Sequence, residues 1–99
     1  MNLPQCPEPI EIKEKAKLLH KEHLDMDIDS LYIWVGQNLA SYLWKTCGWG
    51  RILKEEGISW QKFEKIISLK NFKWWVRGER TWDEQISNIM TQIKRFQKF

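Results

Sequence analysis

The stretch from Leu31 to Trp44 limits the choice of fold more than any other part of the chain, because apolar side chains recur on nearly every side of the helix it would form. Successive residues of an α-helix point about 100° apart. Leu31, Ile33, Trp34, Val35, Leu39 and Leu43 therefore cannot all face one neighbour, and a helix over 31–47 belongs in the middle of a bundle. The same stretch is broken by Gly36, Gln37, Asn38 and Ser41 and falls short of the roughly 18 apolar residues that span a bilayer. No membrane-spanning helix is predicted.

The flanking segments are amphipathic and supply the outer layer. Pro4, Pro7 and Pro9 confine residues 1–8 to an extended lead-in. A first helix starts near Pro9, with Ile12, Ala16, Leu19, His23 and Met26 as its apolar stripe. Asp27, Asp29 and Ser30 serve as turn and capping residues for the central helix, which stops at Gly48 or Gly50. A short helix over 51–56 ends at Gly57, and Ser59 caps the next, whose buried side carries Trp60, Phe63, Ile66 and Ile67. A further helical segment over 69–77 ends at Gly78. Thr81 then caps a final helix with a stripe of Ile86, Ile89, Met90, Ile93 and Phe96, acidic in its first turn and basic in its last. No strand shows a period of two, so the expected fold is an all-α, single-domain bundle of four to six helices over residues 1–99.

Chemistry-bearing constellations are sparse. Asp25, Asp27 and Asp29 are spaced like the start of a calcium loop, but Ser30 stands where that loop needs Gly and Gly36 where it needs a bidentate Glu. His20 and His23 lie three apart without a third ligand at a recognisable spacing. There is no phosphate-binding glycine loop and no nucleophile elbow. Neither an enzyme nor a metal or other cofactor is expected. Cys6 and Cys47, without an export signal before them, are expected to stay reduced in a cytoplasmic protein, Cys47 as a small core residue.

Charge is distributed unevenly. Residues 1–59 carry seven Lys or Arg against nine Asp or Glu, and residues 60–99 carry nine against four. A cationic C-terminal part points to an anionic partner. Of the seven tryptophans, four or five are expected in the core. Trp74 and Trp75 are adjacent and diverge by about 100°, so one of them should be exposed.

The segment Ile67-Ser-Leu-Lys-Asn-Phe-Lys-Trp-Trp-Val-Arg-Gly-Glu-Arg-Thr81 resembles the recognition helix and following loop of the lambda-repressor-like (Cro-type) helix-turn-helix family. Ile67 and Ser68 match the helix opening, Phe72 the mid-helix core position, and Trp75, Arg77, Gly78, Glu79 and Arg80 the closing. The resemblance extends over about residues 58–93. A second frame places the turn at Gly57-Ile58-Ser59 and makes 59–68 the recognition helix.

In the first frame the resemblance implies a nucleic-acid-binding surface of Lys70, Asn71, Lys73, Trp74, Arg77 and Arg80, with Asn71 able to read adenine and the cations contacting guanine or phosphate. DNA is the favoured partner. RNA would use the same charges and aromatics. A protein-interaction module, a homodimer included, is the rival class, with an exposed Trp74 or Trp75 as its anchor.

Overall fold

Helix ends leave backbone N–H and C=O groups open, and at several ends among the described residues a local side chain or a glycine turn takes some of them. The computed structural model describes residues 3–22, 27–68 and 72–97. Among these the fold is all-α: α1 (Ile10–Glu22), α2 (Ile28–Ser41), α3 (Trp49–Glu55), α4 (Trp60–Ser68), α5 (Lys73–Val76) and α6 (Trp82–Gln97). None of these helices is long and apolar enough to cross a membrane.

Asp27 caps α2, which starts three residues earlier than the apolar pattern predicts. Beyond Ser41 the helix continues as a π-helical turn over Tyr42–Thr46, closed by the Cys47 N–H donating to the Tyr42 carbonyl at 3.0 Å. Gly48 follows in the left-handed region at φ 76° and ends the rod where the sequence places its stop. α3 closes in a Schellman motif. Gly57, at φ 83°, donates to the Lys54 carbonyl at 3.0 Å, and Ile58 donates to the Leu53 carbonyl at 2.8 Å, with both side chains buried.

Ser59 then caps α4 by accepting from the Lys62 N–H at 3.3 Å. At α6, Thr81 and Glu84 form a capping box: Thr81 Oγ1 accepts from the Glu84 N–H at 3.1 Å, and Glu84 Oε1 accepts from the Thr81 N–H at 3.3 Å.

α2 is the central rod, with α1 and α4 packed on it, α5 on α1 and α6 on α4. Val35, Leu39, Ala40 and Leu43 are wholly buried, as the all-round apolar pattern requires. Of the tryptophans, Trp49, Trp75 and Trp82 are buried, Trp34, Trp44 and Trp60 pack partly buried against the core, and Trp74 is exposed. Ala16 is the buried residue of α1, flanked by half-buried Ile12 and Leu19. His23, Asp25 and Met26 lie outside the described residues.

Two expectations need correction. Cys6 and Cys47 are not free thiols; they form a disulfide, with Cα atoms 5.7 Å apart. No helix runs unbroken over 69–77 either, because Phe72 is non-helical and α5 holds Lys73–Val76; residues 69–71 lie outside the described residues. Residues 3–9, the described part of the lead-in, form neither helix nor strand, yet they are tightly held. Residues 3–9 run across the molecule as a strap, and the π turn explains how it is bound. Tyr42 opens that turn and donates to the Pro7 carbonyl, and Cys47 closes it and is bonded to Cys6.

Candidate nucleic-acid interface

Burial of one tryptophan dictates exposure of its neighbour. Phe72 and Trp75 are fully buried, and the Trp75 ring lies 5.3 Å from that of Trp82, which fixes α5 against the core. Trp74, one position earlier, is consequently turned outward and is 36% exposed, with the Lys73 ammonium 4.0 Å above its ring.

A second Schellman closure shapes the loop that follows. Gly78, at φ 81°, donates to the Trp75 carbonyl at 3.0 Å, while Glu79 and Arg80 donate to the Trp74 carbonyl at 2.8 and 3.2 Å. These bonds hold exposed Arg77 and half-buried Arg80 on the turn that begins at Trp74. The structure thus gathers Lys73, Trp74, Arg77 and Arg80, with Glu79 the one acid among them. Lys70 and Asn71 lie outside the described residues.

Ile67 and Ser68 are the last described residues of α4, whose buried side is formed by Phe63, Ile66 and Ile67. Before them stand α3, a turn at the left-handed Gly57, and the Ser59-capped start of α4. Its exposed side carries Gln61, Lys62, Glu64 and Lys65.

A cluster that sequence inspection missed lies beside it. Lys62 and Lys65 of α4 and Arg95 of α6 border one cleft of about 810 Å³, floored by Ile58, Ile66 and Phe96. The Gln97 amide donates to the Glu56 carboxylate at 3.3 Å at its edge. Lys62 and Lys65 are visible in the sequence as an i, i+3 pair, but the approach of Arg95 depends on how α6 packs. The two ion pairs among the described residues, Lys13 with Glu8 and Lys17 with Glu14, both lie near the N-terminus. Lys62, Lys65, Arg77, Arg80 and Arg95 make none there.

Among the described residues no group of three His, Cys, Asp or Glu is placed to hold a metal. No family model matches the chain, and no curated protein or solved structure is similar to it.

Proposed function

We propose that this chain is a DNA-binding module in which α3 and α4 act as a helix-turn-helix and α4 is presented to the major groove. The observation that carries this reading is α4 itself, closely capped at Ser59 after the left-handed Gly57, buried through Phe63, Ile66 and Ile67, and polar and cationic on its open side. Length favours the second frame. At 1.5 Å per residue α4 is roughly 13 Å long, enough to lie in a groove about 12 Å wide, whereas α5 is a single turn of about 6 Å. On α4, Gln61 has the amide needed for paired hydrogen bonds to adenine, and Lys62 and Lys65 suit guanine or phosphate.

Arg95 and the Trp74 turn then serve the backbone. Lys73, Arg77 and Arg80 need only charge and reach to contact phosphate. The exposed indole of Trp74 supports a second mode, stacking on an unpaired base of single-stranded DNA or RNA. The reading carries the cytoplasmic location expected from the sequence, a compartment that keeps thiols reduced and would open the Cys6–Cys47 bond.

A protein-interaction reading rests on other residues, Ile10 and Leu18 of α1 and Ile33 of α2, which are each at least half exposed.

Fluorescence anisotropy with a random-sequence DNA duplex tests the proposal. Lys62→Ala with Lys65→Ala should weaken binding at least tenfold, with Arg77→Ala and Arg80→Ala acting in the same direction. Trp74→Ala should affect single-stranded more than duplex binding. A Lys62/Lys65 variant that binds duplex as well as the parent refutes the assignment of α4.

A further inference from the structure

The strap is held in a way that resembles ligand recognition more than chain packing. Its sequence, Leu3-Pro-Gln-Cys-Pro-Glu-Pro9, contains a Pro-x-x-Pro spacing. Pro4, Pro7 and Pro9 have φ fixed near −65°, and Leu3, Cys6 and Glu8 each precede a proline and are pushed to extended conformations. All but Gln5 are therefore biased toward polyproline II, a helix without internal hydrogen bonds whose carbonyls remain open to outside donors.

Three of those carbonyls are taken by aromatic side chains from three separate elements. Tyr42 Oη of the π turn donates to Pro7 O at 2.7 Å, Trp49 Nε1 of α3 to Pro4 O at 3.0 Å, and Trp82 Nε1 of α6 to Cys6 O at 2.7 Å. Aromatic grooves that capture proline-rich segments work on this principle, reading a preformed backbone. The strap also leaves room beside it. A cleft of about 590 Å³ runs along residues 3–8 and is walled by Trp82, Ile86 and Met90 of α6.

We propose that Tyr42, Trp49 and Trp82 form a receptor for Pro-x-x-Pro segments of a partner polypeptide, occupied in cis by residues 3–9 and locked by the Cys6–Cys47 disulfide. Because recognition runs through backbone carbonyls, the receptor accepts varied residues between the prolines. Opening the disulfide leaves the occupant tethered only through its peptide bond to Ile10, and a partner segment then competes for the same three donors. A reducing compartment favours the open form.

Thiol–disulfide exchange on the full chain tests this directly. The probe is the peptide LPQCPEP, offered beside LAQCAEA, which keeps the thiol and lacks the prolines. The peptide thiolate attacks Sγ of Cys47, a new bond joins peptide to Cys47, and Cys6 leaves as a thiolate that takes a proton from water. No external oxidant or reductant is consumed. Intact-mass measurement after acid quench should show the proline peptide on Cys47 at least tenfold over the alanine peptide, and Trp82→Phe should reduce that preference. Equal trapping of the two peptides, through lack of selection or unfolding of the opened chain, overturns the proposal. So does trapping of neither, or a product in which a second copy's strap takes the receptor in place of peptide.

Discussion

Replacing Cys6 and Cys47 together by Ser should cost this chain a large share of its stability. The bond joins residues 41 apart, and closing a loop of that size removes chain entropy from the unfolded state worth about 4 kcal/mol at 25 °C. Domains of this kind have about 5–15 kcal/mol in all. The three aromatic donors to the strap remain available after the substitution, but they then hold a tethered segment and not a cross-linked one. With 1 kcal/mol corresponding to about 4–8 °C in a domain of this size, the midpoint should fall by roughly 15–30 °C. Circular dichroism melts of the unreduced parent and the double Ser variant measure this, with thiols of the unfolded, unreduced parent titrated alongside. Two reactive thiols in the parent, or a midpoint unchanged by the double substitution, would refute the description of the strap.

Two further substitutions test the packing. A Cβ at Gly50 would lie 2.6 Å from the Trp44 indole, a rigid ring already packed with Trp60 and Phe63 at 5.5 and 5.4 Å, so nothing at the contact yields cheaply. Overpacking costs about 1–3 kcal/mol against about 1 kcal/mol gained in helix propensity, and Gly50→Ala should therefore lower the urea midpoint; a rise would mean that Trp44 swings aside. Gln85 is fully buried in α6, and neither of its amide atoms meets a hydrogen-bond partner among the described residues. Gln85→Leu removes that desolvation and should stabilise by about 1–3 kcal/mol, a gain that chemical denaturation resolves and whose absence would show that the amide is satisfied.

Much of the fold is legible because short-range chemistry decides it. The Thr81–Glu84 capping box, the Ser59 cap and the left-handed glycines at 48, 57 and 78 each stand at the helix boundary their local sequence announces. The all-round apolar pattern of α2 likewise specifies a central rod without reference to any partner. The strap's disulfide was not legible, because Cys6 and Cys47 lie 41 residues apart and no periodicity reports a contact of that range. Ile67, 1% exposed, shares the buried side of α4 with Phe63 and Ile66, as the apolar spacing of that segment specifies. The divergence of adjacent tryptophans told that one of Trp74 and Trp75 is exposed but not which, whereas the convergence of Arg95 with Lys62 and Lys65 required the packing of α6 on α4.

The proposed role in DNA binding is tested most directly by the salt dependence of duplex affinity for the parent protein. Lys62, Lys65, Arg95, Lys73, Arg77 and Arg80 offer up to six phosphate contacts, for which the plot of log affinity against log salt should fall with a slope of about −5. The Lys62/Lys65 double variant should reduce that slope by about 2. An affinity that ignores salt, or no measurable binding at low ionic strength, would contradict the account.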